Sequence, residues 1–235
     1  MLPREDSLRV NAMSFWAKPR RISVVIDNPS WMLPYGEALV DEIQAMGDDA
    51  TLCRTHDEIQ EGTVAFYLGC VKITPPDVLA RHRYNLVVHA SALPKGKGFS
   101  PIKWQLVEGI NTIPVCLFEA VEALDAGPIY YQENLVLEGH ELMGEIQPRL
   151  AALTRELCLR FLNAPVPPEG TPQEGEETRY ARRNNESQRI DPHRPLADQF
   201  NILRAVENDR FPAFFDLDGH RYRLLVDKWE SSEDD

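Results

Sequence analysis

The hydrophobic positions of the chain fall into two spacings, and the change from one to the other marks the elements. Ile22 to Ile26, broken only by Ser23, is a β-branched run that reads as a buried strand. Asn28-Pro29-Ser30 interrupts it before a helical spacing from about Pro34 to Met46, where Leu39, Ile43 and Met46 share one face and Gly47 is the stop. Ala50 to Cys53, Val64 to Leu68 and Asn85 to His89 follow as short apolar strands. Strand, helix, then further apolar strands predicts an α/β domain with a mainly parallel, Rossmann-like sheet.

Turn residues dominate Ser91-Ala92-Leu93-Pro94-Lys95-Gly96-Lys97-Gly98. Ser100 as cap and Pro101 at the first helical position predict a helix from Pro101 to about Glu108. Ile113 to Phe118 and Ile129 to Leu137 read as strands around the segment 119–128, and a long helix is expected from about Gly139 to Leu162, bent at Pro148. Proline and glycine then accumulate over 164–177 as a linker composition. Leu196 to Val206 reads as a short helix, and Phe211 to Phe215 and Tyr222 to Val226 flank Asp218-Gly219 as a hairpin. The expected organisation is a flexible lead-in over 1–21, a catalytic α/β domain over 22–163, a linker over 164–177, a small α+β unit over 178–229 and an acidic tail over 230–235.

At 235 residues with 43% hydrophobic positions, the chain can bury a sizeable core. Its 25 Lys and Arg against 37 Asp and Glu leave a net charge of −12, which opposes a nucleic-acid or anionic membrane partner. No apolar stretch is long enough to span a bilayer and no cleavable leader pattern is evident, so a cytoplasmic protein is expected. Cys53, Cys70, Cys116 and Cys158 include no CxxC pair, and no metal is expected.

Ligand sites of parallel sheets lie beyond the carboxyl ends of strands, and His89 ends one there, just before the Pro/Gly loop. A histidine in that place serves equally as a satisfied structural group or as a proton shuttle, because only geometry and pKa make it catalytic. Asp125, in Leu124-Asp125-Ala126-Gly127, is by itself a turn former. His56, His82, His140, His193 and His220 show no ligand spacing and default to the surface, and Trp104 reads as packing.

The run from Val88 to Ile102, with His89-Ala90-Ser91-Ala92-Leu93-Pro94, the glycine loop and Ser100-Pro101-Ile102, followed by Leu124-Asp125-Ala126-Gly127, resembles the N10-formyltetrahydrofolate-dependent formyltransferase family, most closely its sugar N-formyltransferases. The resemblance covers roughly residues 22 to 137, with a less diagnostic echo in the segment 189–228. It implies that an amine attacks the formyl carbon and expels tetrahydrofolate, with His89 as proton shuttle and Asp125 holding it charged or oriented. A family asparagine two residues before the histidine is here Val87, and losing an oxyanion donor costs about a hundredfold to a thousandfold in rate. Asn85 shares that strand face but lies about 13 Å along the strand from His89. Lys72, Ser91 or a backbone N–H is the expected substitute.

By the same resemblance, folate occupies a crevice between Leu68-Gly69-Cys70 and Phe118-Glu119-Ala120-Val121, with Cys70 a wall and not a nucleophile. Ser91, Lys95, Gly96 and Lys97, beside a helix amino end, are expected to hold an anionic acceptor such as a nucleotide-linked amino sugar of surface-polysaccharide synthesis. The expected partners are thus the folate donor and a small acceptor, with a homodimer open. Other small amines as acceptor, and a folate-binding protein that has lost catalysis through Val87, are the alternatives. Methionyl-tRNA is disfavoured by the −12 charge and the short appended unit.

Overall fold

The computed structural model describes residues 16–229. The acidic tail over 230–235 and most of the expected lead-in lie outside the described residues. The strands and helices that build the sheet domain are β1 (Arg21–Val25), α1 (Leu33–Ala45), β2 (Asp49–Cys53), β3 (Gly62–Tyr67), α2 (Pro76–Leu79), β4 (His82–His89), β5 (Lys97–Gly98), α3 (Pro101–Val107), β6 (Thr112–Glu119), β7 (Ile129–Val136) and α4 (Met143–Asn163). Beyond them come β8 (Arg179–Tyr180), α5 (Phe200–Arg204), β9 (Ala213–Leu217) and β10 (His220–Leu224).

Six strands form one sheet in the order β2-β1-β3-β4-β6-β7. The pairings β1–β2, β1–β3 and β3–β4 are parallel, whereas β4–β6 and β6–β7 are antiparallel. The sheet is therefore mixed, in an α/β domain. Strand alternation divides the core between its faces. Ile22, Val24, Val64, Phe66 and Leu86 join the large core with α1, α3 and α4, while Val25, Ala65 and Tyr67 pack with Cys53, Ile59 and Val78 on the other side.

Several boundaries differ from expectation for local reasons. Trp16 and Arg20, assigned to a flexible lead-in, are buried. The Arg20 guanidinium grips Asp48 through Nη2–Oδ2 at 2.6 Å and Nε–Oδ1 at 3.1 Å, and donates from Nη1 to the Leu162 carbonyl at 2.7 Å. That ion pair ties the start of β1 to the ends of α1 and α4. Helix α4 begins at Met143, not Gly139, because Gly139 holds φ +104° and Glu141 accepts from the Glu138 and Gly139 amides in a turn of its own. Burial alone would raise the Glu141 pKa, but these amides and Arg149 bring it down to about 2. Ser100 makes no side-chain cap and stands at φ +51°, so α3 relies on Pro101.

Strand β4 starts three residues before the expected Asn85, which buries His82 instead of leaving it at the surface. Its Nε2 lies 3.2 Å from Ser23 Oγ, and burial, with Arg81 adding to it, holds its pKa down at about 4. The β9–β10 hairpin turns at Asp218-Gly219 as expected, both with positive φ as a type I′ turn requires. Its sheet packs with α5 on a core of Ile190, Leu203, Val206 and Ala213. Leu196–Gln199 is a 3-10 turn running into α5 in place of one continuous helix.

The segment 164–177, expected to be a linker, docks on the α/β domain. Thr171 and Ile129 exchange backbone hydrogen bonds at 2.8 Å in each direction, and β8 adds alongside β5. Arg179–Tyr180 thereby belongs with the loop of the α/β domain that carries Lys97–Gly98 and not with the appended unit. No helix among the described residues is long and apolar enough to cross a membrane.

Candidate active site

Strand β4 delivers His89 to the carboxyl end of the parallel strands, where a cavity of about 330 Å³ opens. Because β6 runs antiparallel to β4, the β6–β7 connection over 120–128 folds back along β4 and carries Asp125 to His89. Asp125 adopts φ +50°, a left-handed turn that Asp tolerates better than most residues. Its Oδ2 accepts from the Gly98 amide at 2.8 Å and lies 4.0 Å from His89 Nε2. That nitrogen is itself 2.9 Å from the Gly96 carbonyl. A carbonyl can only accept, so Nε2 carries the hydrogen and Nδ1 is the basic nitrogen of the neutral ring. Edge-to-face packing of the imidazole on Phe118, 6.3 Å between centroids, completes its cradle.

The cavity wall contains Leu68, Cys70, Val87, Phe118, Ala120 and Val121, so the two expected crevice segments do face one another across it. Glu119 does not belong there. Strand alternation turns it to the opposite face from Phe118, where its carboxylate accepts from the Asn85 amide at 2.7 Å and the Tyr130 hydroxyl at 2.9 Å. Burial lifts the Glu119 pKa, and those two donors offset part of the lift. Cys70 is no nucleophile, since burial pushes its thiol up to about 12 while its Sγ donates to the Val25 carbonyl.

The expected anion loop is rearranged by its neighbours. Lys97 is buried off the cavity wall, and its Nζ is paired with Glu177 at 2.7 Å. Ser91 is buried beneath Gly96, and Gly96 spends its carbonyl on His89; neither lines the cavity. Lys95 is exposed and also lies off the cavity wall. Two other lysines do line it. Lys103 is held by Glu207, while Lys72 has no carboxylate within ion-pair distance among the described residues.

Two contributors escaped the sequence reading. Asp27, just past β1, accepts from the Val71 amide at 2.9 Å and the Lys72 amide at 2.8 Å, fixing the lip that carries Lys72. Its position at the carboxyl end of a parallel strand was the available signal. Asn85 is committed elsewhere, its Oδ1 accepting from Tyr67 and its Nδ2 donating to the Leu79 carbonyl. The second contributor, the segment 171–180, carried no local signal. Gln173 Nε2 donates to the Asp125 and Gly127 carbonyls at 2.9 and 2.8 Å, and Thr178 Oγ1 accepts from the Gly96 amide at 2.9 Å.

A histidine at a strand end, a carboxylate on the adjacent hairpin and a largely apolar cavity thus stand together on a Rossmann-like frame. Residues 50–162 match the family model described as formyl transferase. That match covers the greater part of the α/β domain, from β2 to α4. Among curated relatives, a methionyl-tRNA formyltransferase of Rhizobium meliloti is 31% identical over 179 residues, covering 72% of this chain and 56% of its own length. That of Thermosipho africanus is 32% identical, covering 62% and 46%. The chain thus spans about half the length of the curated relatives it matches.

Solved structures share the fold. A methionyl-tRNA formyltransferase from Clostridium thermocellum superposes with TM-score 0.76 at 20% identity, covering 89% of this chain and 93% of that one. HypX from Aquifex aeolicus in complex with tetrahydrofolic acid gives 0.70 at 16%, covering 89% and 38%. A sugar N-formyltransferase from Shewanella gives 0.63 at 13%, covering 90% and 99%.

Proposed function

We propose that the chain transfers a formyl group from N10-formyltetrahydrofolate to the amine of a small acceptor, an amino sugar in the leading reading. The observation that carries it is the His89–Gly96–Asp125 arrangement at the mouth of a largely apolar cavity in a formyl transferase domain. A volume of about 330 Å³ walled by Leu68, Phe118 and Val121 suits a flat bicyclic ring such as a pterin.

Attack of the acceptor nitrogen on the formyl carbon forms a C–N bond and a tetrahedral oxyanion. Collapse breaks the bond to N10, which leaves with a proton as tetrahydrofolate. His89 Nδ1 takes the proton from the attacking amine and returns it to the leaving nitrogen, since Nε2–H is committed to Gly96. Asp125 at 4.0 Å stabilises the transient imidazolium through space, by about 1 kcal/mol in water and about 4 kcal/mol at an effective dielectric of 20. Val87 supplies no donor to the oxyanion and Ser91 lies beneath Gly96; Lys72, on the cavity wall and in no ion pair among the described residues, is the side chain we assign to that task.

The test is formyl transfer to a panel of amines by the wild type, His89→Ala and Asp125→Asn. Both variants are expected to fold; His89→Ala should lose about a hundredfold to ten-thousandfold in kcat, and Asp125→Asn about fivefold to a thousandfold, the rate equivalent of about 1 to 4 kcal/mol. Wild-type turnover in either would refute the mechanism. The names of the curated relatives favour a second acceptor, methionyl-tRNA. Against it stands the −12 net charge, and tight, salt-sensitive tRNA binding by the wild type would decide for it.

A further inference from the structure

The histidine's hydrogen-bond acceptor is a glycine carbonyl, and glycine has no side chain with which to fix its own place. Gly96 stands at φ +71°, and a Cβ there would come within 2.9 Å of both Ser91 Cβ and Tyr180 Cε2. Packing therefore confines it from two sides but gives it no polar anchor. The anchors come from Thr178. The amide preceding Gly96 Cα donates to Thr178 Oγ1 at 2.9 Å. The next peptide unit, whose carbonyl accepts from His89, donates its Lys97 N–H to the Thr178 carbonyl at 3.0 Å. A peptide whose N–H is engaged has a more strongly polarised carbonyl, so the same residue places the acceptor and strengthens it.

From this geometry we infer that Thr178 is a positioning residue for His89, acting through Gly96, within a strap over 171–180 that lies behind the loops carrying Gly96 and Asp125. Gln173 plays the matching part for Asp125, whose carbonyl it holds at 2.9 Å. The strap crosses both loops that orient the acid–base pair, and the Glu177–Lys97 ion pair and the β5–β8 pairing pin it on either side of Thr178. Its consequence is that the ring keeps its hydrogen on Nε2 and its lone pair on Nδ1.

The catalytic arm of the test rests on the formyl-transfer reading, but the spectroscopic arm does not. Histidine is labelled with ¹⁵N in the full chain, and His89 is assigned by its absence in His89→Asn. The wild type and Thr178→Ser are expected to show the Nε2–H tautomer in the neutral ring. Thr178→Val, which keeps shape but cannot accept a hydrogen bond, and Thr178→Ala are expected to show a mixed population. In transfer assays the Val and Ala variants should lose about tenfold to a hundredfold in kcat with the donor KM within about twofold, and Ser should restore kcat. His89 nitrogen shifts and titration in Thr178→Val that superimpose on the wild type overturn the inference, whatever the kinetics. A wild type that formylates no amine defeats the function proposed above and leaves the nitrogen spectrum to decide this one.

Discussion

Lowering the pH from 7 to 5 should destabilise this protein through one histidine that takes no part in the site. His82 is 6% exposed, with Nε2 at 3.2 Å from Ser23 Oγ and Nδ1 buried without a partner. Burial and the nearby Arg81 hold its pKa down at about 4, against 6.5 for the free side chain. Well above pH 6.5 the ring is neutral in both states and contributes no pH dependence. As the pH falls from 6.5 towards 4, the unfolded chain binds a proton that the folded chain refuses, so stability is lost through that window. The difference amounts to at most about 3 kcal/mol in all, and to about 2 kcal/mol by pH 5. At an m-value of about 3 kcal/mol/M, the urea midpoint moves by about 0.7 M. The assay is urea unfolding at pH 7 and pH 5 of the wild type and His82→Gln, which share every other titrating group. The wild-type midpoint should fall by that much more than the variant's. Parallel pH dependence in the two proteins would refute the reasoning.

Val87→Asn places an amide donor on the cavity wall and is expected to change kcat while leaving folate affinity, measured by calorimetry, near the wild-type value. Should the wild type transfer no formyl group and Val87→Asn do so, catalysis was lost at this position. Lys72→Ala is expected to lower kcat by about a hundredfold or more with the protein folded; an unchanged kcat would send the oxyanion to another donor. Lys97→Ala should leave the acceptor KM unchanged and lower the thermal midpoint, because Lys97 is buried against Glu177. A tenfold rise in acceptor KM would return that lysine to the binding site.

The elements that close locally could be read along the chain. The β-branched run of β1, the Pro101 start of α3 and the Asp218-Gly219 turn each depend on residues within a few positions of one another. His89 and Asp125 were legible from motif and strand-end position, and the structure brings them within 4.0 Å. What stayed hidden was set by distant partners. Lys97 reads as a loop cation available to an anionic acceptor until Glu177, 80 residues later, is placed against it. Proline and glycine over 164–177 have the composition of a linker, yet Thr171 and Gln173 find backbone partners on the β6–β7 hairpin that no local pattern announces. Glu119 could have been placed, because side chains adjacent along a strand point to opposite faces, and Phe118 lines the crevice.

Strand β1 sits between β2 and β3, yet it precedes the family-matched residues 50–162. Excising the matched segment would leave β2 and β3 facing an empty lane, each with a row of unpaired amides and carbonyls that nothing else in the segment can satisfy. Such edges recruit foreign strands, so the excised piece should precipitate or pair with itself before it folds. The part of this protein that a family model recognises is therefore not a part that can be moved to another chain. Any graft or truncation has to carry Arg21–Val25 with it, together with the Arg20–Asp48 ion pair that secures its entry.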